Sequence, residues 1–245
     1  MENGFFLITG TSRGIGEALA QKILEKGNTV LGVARGRSDA LKFSKYHHLP
    51  FDLTDTSRIS QIMEKVDEVV DHQRFDFIGL VNNASAAEPG GAIEKCPAEE
   101  IEIHVKIGLI AQMILTSQFI RRFTSLKIRK KVVFISSGAA FAPFLGDSIY
   151  CSTKAGIHMF AQCVGLEQKE KEFGFEVITI GPGMVDTYIQ QVARSKTIEE
   201  YASADYCRQA FEQGMLDKPA SVAEKIYTIL DNQYDQGQYV KVSEI

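Results

Sequence analysis

Phe5-Phe6-Leu7-Ile8-Thr9-Gly10-Thr11-Ser12-Arg13-Gly14-Ile15-Gly16 decides the fold class. The first five residues are a short apolar run rich in strand formers. The next seven are a glycine-rich turn, and a helical pattern follows with Ala18, Leu19, Ile23 and Leu24 on its apolar face. Gly27-Asn28 stops that helix, and Thr29 to Ala34 reads as a second strand. A strand, a helix and a strand at this spacing make a βαβ unit, which requires a crossover and a parallel sheet. Glycines in the first turn let backbone approach a pyrophosphate, and the helix start presents unpaired N–H groups to it. The spacing is G-x-x-x-G-x-G rather than the commoner G-x-G-x-x-G. A glycine-rich turn alone is only a turn; the flanking elements make it a nucleotide cradle. Gly10, Ser12, Arg13, Gly14, Ile15 and Gly16 are its candidate contacts.

Outward from this unit the pattern repeats. His48 to Phe51 is a third strand, followed by Asp52-Leu53 and an amphipathic helix reaching Val70, with Thr54 or Asp55 as its cap. Phe77 to Val81 is a buried fourth strand running into Asn82-Asn83-Ala84-Ser85. Ile101 to Phe123 is one long helix, and Lys127 to Lys131 is a solvated basic turn. Val132 to Ile135 is the fifth strand, Tyr150 to Glu167 a helix, and Phe175 to Ile180 the sixth strand. Residues 188–218 are polar, partly helical and placed like a substrate lid, although a surface helical pair would read the same way. A helix from Pro219 to Leu230 and a strand over residues 238–242 close the chain. No linker, repeat or low-complexity tract interrupts it, so one domain over 1–245 is expected. It is an α/β doubly wound Rossmann fold with a parallel seven-stranded sheet and helices on both faces. The candidate functional segments begin at strand carboxyl ends, where open α/β sheets bind ligands.

Composition narrows the function. The chain has 245 residues, 44% hydrophobic and 24% charged, with net charge −4. That balance argues against a nucleic-acid partner and gives no membrane-surface signal. No apolar run reaches the length of a membrane span. Cys96, Cys151, Cys163 and Cys207 are scattered, as in reduced cytoplasmic proteins, and His47-His48 reads as a loop pair. No metal site is expected.

Two further signals concern chemistry. A dinucleotide site for NAD places an acid at the end of the second strand, on the ribose 2′-hydroxyl. This chain has Arg35 there, with Arg37 and Arg13 nearby, and Asp39 is several residues further on. A guanidinium grips a 2′-phosphate, so NADPH is the expected cofactor, although a solvated surface Arg is common. Asp52 is a candidate for the adenine amino group and also an ordinary turn residue. Tyr150-Cys151-Ser152-Thr153-Lys154 puts Tyr150 and Lys154 one helical turn apart, with Ser137 upstream. An ammonium so placed is expected to lower the phenol pKa from about 10. Alone, Y-x-x-x-K is better read as a solvated helix face; the surrounding chain reverses that.

These residues carry a resemblance. Over essentially its full length the chain resembles the short-chain dehydrogenases/reductases. Thr9-Gly10-x-x-x-Gly14-x-Gly16 matches the family's cofactor loop. Asn82-Asn83-Ala84 matches its N-N-A-G segment, with Ser85 replacing the last Gly. Ser137, Tyr150 and Lys154 match its catalytic Ser, Tyr and Lys, and Pro182-Gly183 with Thr187 match the segment over the nicotinamide. The segments at 136–140, 150–156 and 182–187 look most like the bacterial sepiapterin-reductase-like branch, which includes benzil reductases. The resemblance implies a reductase in which Tyr150 protonates the alkoxide, Ser137 orients the carbonyl and Lys154 holds the nicotinamide ribose. Leu53, Asn83, Ala84, Pro182, Gly183, Val185 and Thr187 would complete the cofactor contacts. It further implies an aromatic ketone, a 1,2-diketone or a pterin side-chain carbonyl as substrate. Phe141, Phe144, Met184, Tyr188 and the lid are candidates for an apolar pocket, although each also reads as an ordinary core residue. A homo-oligomer is implied, with a dimer favoured through the 101–123 and 150–167 helices. One departure stands out: Gly108 (or, with a gap, Lys106) occupies the place of a family Asn that anchors a water behind the catalytic Lys. A nucleotide-binding sensor without efficient catalysis is therefore an alternative. Dehydration or epimerisation on the same fold ranks below it.

Overall fold

The computed structural model describes residues 3–70 and 75–245. Strands β1 (Gly4–Thr9), β2 (Thr29–Ala34), β3 (Tyr46–Pro50), β4 (Phe77–Asn82), β5 (Arg129–Ile135), β6 (Glu176–Gly181) and β7 (Tyr239–Lys241) form one sheet. Its order is β3-β2-β1-β4-β5-β6-β7, and every pairing is parallel. The central strands are continuous apolar runs because both sheet faces are covered. Leu7 lies between Leu31 and Leu80. With Phe5, Val33 and Phe134 it faces α2 (Ser60–Val70), α4 (Ala111–Phe123) and α5 (Ser148–Lys169). The alternate residues Phe6, Ile8, Val30 and Val133 face α1 (Gly14–Glu25) and α8 (Pro219–Asp231). The doubly wound seven-stranded parallel sheet therefore stands as expected.

Three local expectations need correction. The third strand starts at Tyr46, so His47 and His48 are strand residues paired with Leu31 and Gly32 rather than a loop. Between Asp55 and α2 lies a 3₁₀ turn, Thr56–Arg58, and Asp55 makes no capping hydrogen bond there. The basic turn is the larger error. Arg129, Lys130 and Lys131 open β5, and successive residues of a strand point to opposite faces. Lys130 Nζ donates to the carbonyls of Phe123, Thr124 and Leu126, at the end of α4. Lys131 Nζ donates to those of Ile229 and Asn232, at the end of α8, and lies 2.9 Å from the Glu176 carboxylate. Cations suit helix C-termini, where carbonyls lack N–H partners. Each lysine thus closes one layer of helices onto the sheet.

The long middle helix is also not uniform. It runs as α3 (Ala98–Val105), a π-helical turn (Lys106–Ile110) and then α4. Taken whole, Ala98–Phe123 is long and apolar enough to cross a membrane, although the sequence has no unbroken apolar run of that length. Here Ala111, Leu115, Phe119 and Phe123 supply its buried face, while Ile103 and Ile110 are exposed.

Candidate active site

The sheet order reverses between β1 and β4, the switch point at whose strand carboxyl ends open α/β sheets bind ligands. Gly10 and Gly14 have φ of +77° and +64°, a conformation that side-chain-bearing residues rarely adopt. A Cβ on Gly16 would stand 2.3 Å from the Gly10 carbonyl, so the helix start presses directly on the loop. The Thr9 hydroxyl accepts from the backbone N–H of Asn83 and of Ala84, both at 3.0 Å. The Asn83 amide donates back to the carbonyls of Thr9 and Gly10. These bonds fasten the two strand ends together. Ser12 and Ile15 lie half-buried in the loop, and the Thr187 methyl stands over Gly14.

At the end of β2, Arg35 and Arg37 are exposed. Burial acts to raise the Asp52 pKa. Hydrogen bonds from the Thr54 N–H and hydroxyl, with the Arg35 charge, outweigh it and hold the carboxyl below its usual range. Leu53 turns its side chain into the core, leaving only its backbone for a ligand. Arg13, in the glycine-rich loop, is also exposed. Its guanidinium stacks 3.8 Å from the Tyr188 ring centroid.

On the β5 side, Ser137 follows the strand; its hydroxyl accepts from the Ala139 N–H and is close enough to the Tyr150 hydroxyl to pull its pKa down. Lys154 Nζ donates to the carbonyl of Ile135, the last residue of β5, at 2.8 Å, and lies 5.5 Å from the Tyr150 ring centroid. Tyr150 keeps partial solvent contact as a residue, but its hydroxyl is deep among protein atoms, and the hydroxyl's surroundings govern its titration. Burial pushes the phenol up to about 12, against the downward pull of the Ser137 bond, with Asp147 adding to the rise. Burial also brings Lys154 down to about 8. Desolvation, rather than the neighbouring ammonium, thus dominates Tyr150 in the chain as it stands. The phenol keeps its proton and the lysine is poised near neutrality. The side-chain oxygens of Asn82 at the end of β4, of Ser136 beside Ser137, and of Gln112, whose amide reaches the Ala84 carbonyl, are buried and find no partner among the described residues.

The sequence pattern of the short chain dehydrogenase family matches residues 5–198. The chain belongs to this family. It is 35% identical to a benzil reductase ((S)-benzoin forming) from Bacillus cereus over 98% of this chain and 99% of that one. It is 33% identical to the Bacillus subtilis benzil reductase over 98% of each. Among solved structures, KRED1-Pglu superposes with a TM-score of 0.84 over 97% of this chain and all of that one, at 24% identity. The fold is therefore that of the short-chain dehydrogenases, and the protein is an oxidoreductase of a family that binds nicotinamide cofactors. The positive-φ glycines at the start of α1 and the unpaired buried oxygens of Asn82, Ser136 and Gln112 fit a dinucleotide between the loops.

In this short-chain dehydrogenase, residues 188–218 form α6 (Tyr188–Ser195) and α7 (Ala204–Glu212). Val185 pairs with Asp217, so the excursion leaves and returns at one point. Lys196 Nζ meets Glu88 Oε2 at 2.5 Å, and the Tyr201 hydroxyl donates to Asp147 at 2.9 Å. Glu88, Asp147, Lys196 and Tyr201 had no signal in the sequence, because each gains meaning only from a partner far along the chain. His104 was missed for the same reason. Gly108 lies in the π-helical turn, where a Cβ would stand 3.3 Å from that of Thr153.

Proposed function

We propose that the protein is an NADPH-dependent carbonyl reductase acting on a ketone or 1,2-diketone of benzil type. The observation that carries this reading is the convergence of Ser137, Tyr150 and Lys154 at the carboxyl end of β5. The crevice formed by Gly10–Gly16, Asn83 and Ala84 lies across from them. NADPH would supply the hydride. Ser137 would hydrogen-bond the carbonyl oxygen and fix its direction. Tyr150, held neutral by burial, would donate its proton to that oxygen as negative charge develops, since an alkoxide is a far stronger base than a phenolate. Lys154 would hold the nicotinamide ribose with the protons it does not give to Ile135. Arg35, with Arg13 and Arg37, would favour a 2′-phosphate over a bare ribose, and Asp52 and the Leu53 backbone would meet the adenine. Pro182, Gly183, Val185 and Thr187 would flank the carboxamide.

Phe141, Phe144 and Tyr188 are exposed aromatics that would suit an aromatic substrate, with the excursion at 188–218 as its lid. The names of the two Bacillus relatives point to the same substrate class. Exposed Ile103 and Ile110 on the middle helix, with Met159 and Leu166 on α5, support a homodimer through these helices. The free thiols among the described residues suit a cytoplasmic setting. The sensor alternative retains only Gly108 in its favour.

The deciding measurement is loss of NADPH absorbance on adding benzil, with NADH in parallel. Consumption of NADPH well above that of NADH is expected. Tyr150→Phe should lower turnover by about 10²–10⁴-fold while leaving NADPH binding intact. Benzil reduction unchanged in that variant would remove Tyr150 from its role.

A further inference from the structure

His104 is 1% exposed at the end of α3, and the reading above gives it no task. Its Nδ1 lies 2.8 Å from the Glu88 carbonyl, which only accepts, so Nδ1 carries a proton. Burial lowers the His104 pKa most, the Glu88 bond opposes this, and the Lys154 charge lowers it further, which leaves the ring neutral. Nε2 is then an acceptor, 3.3 Å from the Thr153 hydroxyl. That hydroxyl also stands 2.9 Å from the Tyr150 carbonyl. Its single proton serves one of the two at a time, and the Tyr150 carbonyl already faces the helical N–H of Lys154. The imidazole also meets the Tyr150 ring edge to face, with centroids 6.0 Å apart and planes at 85°. Gly108, in the π-helical turn, lies against the same threonine: a Cβ there would stand 3.3 Å from that of Thr153 and press on it.

We propose that His104 is a positioning residue for Tyr150. It ties the turn of α5 that bears the phenol, through Thr153 and through ring contact, to the loop at Glu88. The same loop holds Lys196 of the 188–218 excursion through the Glu88 carboxylate, so the proton donor and the excursion share one anchor. The proposal rests on Tyr150 being the proton donor for carbonyl reduction.

The test compares His104→Phe, which keeps a ring but loses both hydrogen bonds, with the near-isosteric Thr153→Val and with Thr153→Ser, which restores the hydroxyl. Two readouts are taken after thermal melts establish folding. One is kcat for benzil with the NADPH Kd; the other is the ¹³C resonance of ring-labelled Tyr150, assigned by its loss in Tyr150→Phe. In His104→Phe and Thr153→Val, kcat should fall about 10- to 100-fold, as for a small misplacement of a reacting group. NADPH Kd should stay within about twofold, because neither residue is placed against the cofactor. The Tyr150 resonance should move in both variants. Thr153→Ser should recover most of the rate, and the double variant should be no worse than either single one. Unmoved Tyr150 resonances in the folded variants would overturn the proposal, as would losses that multiply in the double variant. Absence of benzil reduction by the wild-type protein would count against the proposed function alone. The Tyr150 resonance would then decide the role of His104 by itself.

Discussion

Strand β5 has buried lysines at both ends, and they are used in opposite ways. At its amino end Lys130 meets three helix-terminal carbonyls, and Lys131 meets two plus the Glu176 carboxylate. At its carboxyl end Lys154 gives one hydrogen bond, to Ile135, among the described residues. All three have pKa values lowered chiefly by burial. A buried ammonium whose donors are satisfied is part of the scaffold; one with donors to spare is costly to the fold and available to a ligand. The comparison separates structural from functional lysines without reference to conservation.

The largest effect that would test this distinction is at Lys154. Lys154→Met should reduce turnover by at least about 100-fold and yet make the protein more stable at pH 7. The folded-state pKa of about 8 lies below the ordinary 10.5. Between these values the unfolded chain therefore binds the extra proton, and stability rises with pH across that window. Below it the full penalty applies, on the order of 1–3 kcal/mol after allowing for the lost bond to Ile135. Urea denaturation at pH 7 and again near the top of the window should show the gap between wild type and variant closing as pH rises. Tyr150, raised to about 12, contributes the opposite slope only above its ordinary value of 10.0. A Lys154→Met protein less stable at pH 7 would end the contrast.

Lys131→Met comes next. Removing Lys131 leaves the partly exposed Glu176 carboxylate with the Tyr234 N–H but no cation, and a loss of about 3 kcal/mol, the low end for a broken buried pair, is expected by the same denaturation, with turnover per folded molecule retained. Lys130→Met is the mildest. It leaves carbonyls at the end of α4 uncapped but strands no charge, so about 1–2 kcal/mol is expected. Equal losses at 130 and 131 would show that Glu176 adds nothing to the amino-end arrangement.

The sheet was legible because a strand buried on both faces needs an uninterrupted apolar run. Phe5–Thr9, Phe77–Val81 and Val132–Ile135 have such runs. The cradle was legible because Gly10, Gly14 and Gly16 answer a backbone requirement fixed within a few residues. Lys130 and Lys131 were misread since their partners are helix ends set by folding, and local polarity says nothing about distant carbonyls. The expected tuning of Tyr150 by Lys154 had the right neighbours but the wrong weight: spacing gives proximity, while depth of burial is a property of the whole fold. The π-helical turn at Gly108 left no periodic trace, because one added residue per turn barely disturbs an apolar pattern this dense.

The pairing of Val185 with Asp217 has one more consequence. A segment that leaves and re-enters a scaffold through a single doorway can change length at little thermodynamic cost, about 0.6 kcal/mol for each doubling. Residues 188–216 can therefore be rewritten by selection while Thr187, the strand that leads to Ser137 and the cradle stay as they are, so that new specificities arise by replacing a panel rather than rebuilding the frame.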